Sequence, residues 1–343
     1  MNGPDVVTMA HGAGGTASRR LVERCLPHLG GTALAELGDA GLVERAAGAR
    51  VGAAPLVLTT DAFVVRPLRF GGGSIGSLAV HGTLNDLAAA GARPLALTAS
   101  FVLEEGLELA TFEAEVAALG EAARRCDVEV VAADTKVVER GHADGLFIAT
   151  TGLGAVVARP APSPRRMAPG DRVLVSGPVA DHGIAVLLAR GELHLDAEVH
   201  SDSASLWPAA EALIEACGPG LRTMRDATRG GVATVLCELA GAAGLEVELD
   251  EAAVPLRGPT RGACELLGLD PLYVANEGCL VAVVAAASAD AALAALHATE
   301  VGREAAVVGE VTAGDRGRVV GRTAFGGRRV LDLLAGDPLP RIC

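Results

Sequence analysis

The chain predicts a two-domain protein of mixed α and β structure, on three observations. Apolar runs with strand spacing alternate with helix-spaced patterns along the whole sequence. A single proline-rich stretch, Arg159-Pro160-Ala161-Pro162-Ser163-Pro164-Arg165-Arg166, divides them. Each side of that stretch is long enough to bury a core of its own. Half of the 343 residues are hydrophobic and 21% are charged, the balance of a globular chain.

In the first half, the glycine-rich opening His11-Gly12-Ala13-Gly14-Gly15 precedes helical spacing over Ala17–Leu29, which Gly30-Gly31 ends. Leu56–Thr60 reads as a buried strand that delivers Asp61 at its end. Behind the cluster Gly71–Gly76, residues Ile75, Leu78, Ala79, Leu84, Leu87 and Ala88 share one helix face, and Asn85 and Asp86 fall off that stripe. Strands follow at Pro94–Leu103, Val128–Ala132 and Gly145–Val157, with a helix at Leu107–Cys126. The second half restarts with a strand at Arg172–Ser176 and a helix from Asp181. Helices near Ser203–Cys217, Gly231–Ala243 and Pro259–Leu267 then interleave with strands near Leu245–Leu249, Leu280–Val284, Ala305–Val311 and Arg318–Val320. The expected division is residues 1–158, a linker at 159–170, residues 171–330, and a mobile tail at 331–343. Strand order alone leaves parallel and antiparallel pairing open.

The net charge of -13 repels polyanions, and one Trp, one Tyr and six Phe leave few surfaces on which bases can stack, so nucleic acid is discounted as a partner. No apolar run reaches the roughly 20 residues of a membrane span, and the start of the chain lacks the basic and apolar segments of a secretory signal. A cytoplasmic protein is expected. The seven cysteines form no CxxC pair, which argues against a zinc site or a disulfide framework. Six read as small core residues; Cys343 ends the chain after Leu339-Pro340-Arg341-Ile342.

Four aspartates stand in small, loop-like contexts: Thr60-Asp61, Asn85-Asp86, Asp134-Thr135-Lys136 and Arg225-Asp226-Ala227-Thr228-Arg229-Gly230-Gly231. Strand ends can aim such carboxylates at one point, and magnesium-nucleotide chemistry needs hard oxygen ligands with cations on the phosphates, here Lys136 and Arg229. Caps and turns are the alternative reading for each aspartate. The glycine stretches fit either a phosphate cradle or plain turns. Glu277, beside the apolar run Leu272–Val274 and the strand Leu280–Val284, reads as a base with a raised pKa or as a turn acid in water. His182 and His142 read as surface or capping residues, since no partner spacing accompanies either. The prolines of the tail keep it extended, able to reach into a cleft or to fray.

Taken together, the blocks His11–Gly15, Thr60-Asp61, Asn85-Asp86, Asp134–Val138, Asp181-His182-Gly183, Arg225–Val232, Cys264–Asp270, Ala275–Gly278 and the terminal Pro340-Arg341-Ile342-Cys343 resemble the HypE carbamoyl dehydratases of [NiFe]-hydrogenase maturation. Those enzymes lie in the superfamily of aminoimidazole ribonucleotide synthetase and selenophosphate synthetase. Leu84 and Phe63 depart from the small and polar residues usual there. The resemblance implies two PurM-like α/β (α+β) domains with a flexible C-terminal tail, a homodimer joined through the N-terminal domains, and ATP with Mg2+ as cofactors. It implies that a carbamoyltransferase, HypF, loads the Cys343 thiol. The enzyme then dehydrates the thiocarbamate to a thiocyanate, and the cyano group passes to iron on a HypC–HypD complex. It assigns Asp61, Asp86, Asp134 and Asp226 to magnesium, Gly14, Gly15, Asn85, Thr135 and Arg229 to the nucleotide, and Lys136 and Glu277 to charge stabilisation and proton removal. The alternatives are another ATP-using member of the superfamily, such as a selenophosphate synthetase or thiamine-phosphate kinase, and a non-catalytic thiol carrier. Against the first stands Cys25, which lies inside a predicted helix where a selenophosphate synthetase needs a reactive residue.

Overall fold

A computed structural model describes Thr16, Arg19, Arg20, Gly41–Val43 and residues 55–343 apart from 192–196, 315–316, 335 and 337–338. The expected helix at Ala17–Leu29 and the glycines Gly14 and Gly15 lie outside or almost wholly outside the described residues.

The first half comprises β1 (Gly41–Val43), β2 (Leu56–Phe63), the hairpin β3 (Arg69–Phe70) and β4 (Gly73–Ser74), α1 (Ile75–Ala89), β5 (Ala92–Glu104), α2 (Leu109–Arg125), β6 (Glu129–Val138) and β7 (Leu146–Val156). Its main sheet has the order β1-β2-β7-β5-β6, with only the β5–β6 pair parallel. In β2 the odd positions Val57, Thr59 and Phe63 are buried, whereas Leu58, Thr60 and Ala62 face outward. That period of two puts Asp61 on the inner face, against α1.

The second half holds β8 (Arg172–Val175), α3 (Asp181–Ala189), α4 (Trp207–Cys217), β9 (Leu221–Asp226), α5 (Gly231–Ala243), β10 (Glu246–Asp250), α6 (Gly258–Leu267), β11 (Leu280–Val284), α7 (Ala289–His297), β12 (Ala306–Thr312), β13 (Val319–Arg322) and β14 (Arg328–Leu331). These strands form one sheet in the order β14-β13-β10-β12-β8-β11-β9, parallel only at β10–β13. β11, buried at all five positions, is a continuous apolar strand covered on both faces.

Three sequence readings change. α1 is not a one-faced helix: Ser77 and Asp86 are its only partly exposed residues, because α2 and the first sheet pack on it from the first half and α4 and β9 of the second half cover the remaining side. Asn85 is therefore buried at 1% exposure instead of facing water. β6 runs on to Val138, so Asp134, Thr135 and Lys136 lie within an exposed edge strand and not in a loop after it. Its polar residues hid the strand, since an edge has little apolar burial to record in sequence. Lastly, α4 begins at Trp207, with Pro208 in its first turn, and residues 199–206 form an irregular strap ahead of it. Leu84 and Phe63 are both core residues, so these departures from the family pattern serve packing.

Candidate active site

Helix α1 brings the two halves together. Asn85 donates both amide protons, to the carbonyls of Ala204 and Glu277 at 3.0 Å each, and its Oδ1 accepts the Leu206 N–H at 2.8 Å. With its amide hydrogen-bonded to the chain, Asn85 holds the strap and the Glu277 loop in place. One turn earlier, a Cβ on Gly82 would meet the Phe63 ring at 2.9 Å and Asp61 Oδ2 at 3.5 Å. The bare glycine lets the Asp61 carboxylate lie close to the helix. Thr59 donates to Asp86 at 2.6 Å, which fixes that carboxylate between β2 and α1.

Opposite Asp61 stands the loop that follows β9. Ala227 accepts from the backbone and side chain of Asn276 at 3.1 and 2.7 Å, and its own N–H donates to Cys279 at 2.9 Å. Two successive left-handed glycines, Gly230 and Gly231, turn the chain into α5; a Cβ on Gly231 would stand 2.5 Å from the Leu272 carbonyl. This loop fixes Asp226, buried, and leaves Arg229 exposed.

Asp61, Asp226 and Glu277 form one electrostatic group. Burial pushes the Glu277 carboxyl well above its ordinary range, and the negative fields of Asp61, Asp226 and Asp202 push it further, with Arg229 opposing. Burial likewise raises Asp61, against the attraction of Arg229, and raises Asp226, against that of Arg225. Carboxylates set together in a dry site resist full ionisation. Asp202, in the strap, accepts the N–H groups of Glu277 and Gly278 at 3.0 Å each, and burial lifts its pKa to about 6.

Asp134 and Lys136 stand apart from this group. They are 64% and 70% exposed and pair with each other at 2.5 Å, and that bond holds the Asp134 carboxyl below its usual range. Thr135 is exposed beside them. Among the described residues no three His, Cys, Asp or Glu side chains are grouped to enclose a metal ion. Within the chain, Asp61 and Asp226 influence each other electrostatically, Thr59 holds Asp86 at the β2–α1 contact, and Asp134 is on the edge strand. Hard carboxylate oxygens whose mutual repulsion a cation would relieve do fit Mg2+, which takes few protein ligands and leaves the rest to phosphate and water. Within the Gly71–Gly76 stretch, Gly71-Gly72 form the β3–β4 turn and pack on the strap: the Gly71 carbonyl accepts from Ser201 at 2.7 Å, and a Cβ on Gly72 would lie 2.9 Å from Ser201 N.

The tail is seated. Leu339 and Ile342 are buried, Cys343 is half-buried, and the chain lies alongside the end of β2, with Val64 N–H donating to Cys343 at 3.0 Å and Arg66 N–H to Arg341 at 3.3 Å. Arg341, at φ 56°, turns its guanidinium onto Asp144 and the Val64 carbonyl. His182, expected at the surface, is fully buried: one ring nitrogen is 2.8 Å from the Ile342 carbonyl, the other 2.8 Å from Ser201 Oγ, and the ring stands edge-on to Phe70. Its apolar setting, Val179-Ala180-Asp181-His182-Gly183-Ile184-Ala185, is the sequence signal that marks a buried helix start. Asp202 had no such signal. His142 is exposed.

Comparison with known proteins agrees with this architecture. The AIR synthase related protein N-terminal domain family matches residues 38–156, and the corresponding C-terminal domain family matches residues 168–322. The chain is 49% identical to carbamoyl dehydratase HypE of Cupriavidus necator, covering 98% of this chain and 95% of that one. It is 44% identical to carbamoyl dehydratase HypE of Escherichia coli K12, over 98% and 99%. Among solved structures, hydrogenase maturation protein HypE in complex with ATP superposes with a TM-score of 0.81 at 44% identity, over 98% of this chain and 100% of that one. A HypE–HypF complex gives 0.84 at 39% identity, over 92% and 99%. Thiamine monophosphate kinase from Aquifex aeolicus, at 17% identity and a TM-score of 0.63, shares the fold alone.

Proposed function

The chain belongs to the HypE carbamoyl dehydratase family of hydrogenase maturation, and on that premise we propose how its residues divide the work. It is an ATP-dependent dehydratase, and its substrate is a carbamoyl group carried on its own Cys343. The observation that carries this reading is the seated tail. Cys343 is bonded to Val64, three residues along the chain from Asp61, or about 10 Å of extended backbone. Asp61 in turn shares one electrostatic group with Asp226 and Glu277.

In the thiocarbamate the C–O bond is the one that must break, and oxide is a poor leaving group. The carbamoyl oxygen attacks the γ-phosphoryl of ATP and releases ADP, while the nitrogen gives up one proton. Glu277 is the base for a nitrogen proton: its high pKa in a dry site matches a weakly acidic N–H. Phosphate then leaves with the oxygen, the second nitrogen proton departs, and a thiocyanate remains on sulfur, the source of the cyanide ligands of the hydrogenase iron. Arg229, exposed at the rim, attracts the triphosphate. Asp61 and Asp226, with Asp86 beside them, would hold Mg2+, which supplies charge neutralisation on the phosphates. Gly14, Gly15 and Thr135 complete the nucleotide contacts in this reading, and Asp134 and Lys136 act once the edge strand is covered.

HypF is proposed to load the carbamoyl group, as the HypE–HypF complex supports, and a HypC–HypD complex to take the cyano group. A homodimer through the N-terminal half is supported by the apolar residues that the first sheet leaves exposed, Leu58, Leu95, Val131 and Val137, two of them on β6. Among the described residues no helix is long and apolar enough to cross a membrane, which is compatible with the proposed cytoplasmic location. Mass spectrometry tests the whole reading. With the carbamoyltransferase, carbamoyl phosphate and ATP, the C-terminal peptide gains a carbamoyl group and then loses one water; modification elsewhere, or an unchanged tail, overturns it.

A further inference from the structure

The strap at residues 199–206 touches both the tail and the proposed base through adjacent residues. Ser201 Oγ lies 2.8 Å from His182 Nδ1, and His182 Nε2 lies 2.8 Å from the Ile342 carbonyl, next to the loaded cysteine. The following residue, Asp202, receives the N–H groups of Glu277 and Gly278. Ser203 bonds His81 at 3.0 Å, and Ala204 and Leu206 bond Asn85. The Ile342 carbonyl can only accept, so Nε2 carries the proton; burial keeps the ring neutral by lowering its pKa to about 4, and Nδ1 must then accept from Ser201. Every link of the chain Ile342–His182–Ser201–Asp202–Glu277 is therefore directional, and the Asp202 carbonyl has no slack, since a Cβ on Gly278 would stand 1.9 Å from it.

We propose that His182 is the positioning residue that seats the tail, and that through Ser201 and Asp202 the strap makes seating of the tail and placement of Glu277 a single event. This rests on the dehydratase reading above. A tail out of its seat leaves Ser201 and His182 without their alignment, and the strap then holds the Glu277 loop less firmly. Loading of the thiol outside the cleft and its dehydration inside thereby use two states of the same element, with the base fully placed only when its substrate has arrived.

The test uses full-length protein and a double-mutant cycle. His182→Phe keeps the volume and the Phe70 contact but removes both hydrogen bonds; His182→Gln restores a donor to Ile342; Asp202→Asn weakens the grip on Glu277. Unloaded His182→Phe should alkylate at Cys343 with iodoacetamide on the order of tenfold faster than wild type, the effect of one buried hydrogen bond, and the Gln variant should recover most of the protection. Once carbamoylation has been taken to completion, His182→Phe and Asp202→Asn should each slow dehydration, and the double variant should lose clearly less than the product of the two effects. Ser201→Ala, a milder change on the partly exposed strap, should show the same pattern if the Phe variant folds poorly. Equal alkylation in all variants overturns the latch, and multiplicative losses overturn the coupling. A wild type that forms no thiocyanate sinks the dehydratase reading instead, and leaves the alkylation result standing.

Discussion

The edge strand β6 and the buried group at Asp61, Asp226 and Glu277 carry the same kinds of side chain in opposite surroundings. On β6, Asp134 and Lys136 neutralise each other in water, and the carboxyl is held low. Between the halves, the buried carboxyls of Asp61, Asp226 and Glu277 raise one another against the attraction of Arg229 and Arg225, and all are held high. Charge at the first place costs nothing and does little, because water screens it. At the second it is expensive, and each proton or cation that arrives is worth correspondingly more. Residue type alone put both places in one site; burial separates them, raising the carboxyls of one and leaving that of the other in water.

The sharpest way to break this contrast is Glu277→Gln, which keeps size and removes the proposed base. Dehydration in single turnover should fall by roughly 10²–10⁴-fold, the usual share of a general base, while carbamoylation of Cys343 persists. An equal loss in both steps would mean that Glu277 supports folding or partner docking instead. At β6 the expectation splits by assay. Lys136→Met should leave the thermal stability of the isolated protein within error, since water screens an exposed ion pair. It should still slow dehydration by roughly 10²-fold if nucleotide and a second subunit exclude water there. An unchanged dehydration rate would leave the pair as a surface feature.

The contrast was only partly legible in sequence, for reasons of distance along the chain. The strand that carries Asp61 and the apolar neighbours of Glu277 are local signals, but the sequence left Glu277 open between a dry base and a turn acid in water, and only the burial pattern of β2 turns Asp61 inward. The burial of Asn85 is not local. It comes from α4 and the strap, over 110 residues away, covering the side of α1 that periodicity leaves polar. The length of β6 was missed for the converse reason: an edge strand exposed along its length has no alternation to read. His182 left a signal in its apolar neighbours, whereas Ser201-Asp202-Ser203 looks like any polar loop until the Glu277 backbone is placed against it.

Asp202 offers the gentlest test, because it lies between the two extremes: it is charged at neutrality yet pays for burial. Its folded-state pKa of about 6 exceeds the ordinary 3.8, so between those values the folded protein binds more protons than the unfolded chain. Stability from this group is therefore fully present below pH 3.8 and declines as pH rises through 6. Asp202→Asn cannot titrate. The variant should melt below wild type at pH 4.5, since one amide oxygen must serve both the Glu277 and Gly278 N–H groups. That gap should narrow by several degrees at pH 7.5. Comparing the two proteins at each pH cancels the titration of groups they share. A gap that does not change with pH would mean that the Asp202 carboxyl is as well hydrated as Asp134, and that the strap does not seal the Glu277 side of the cleft.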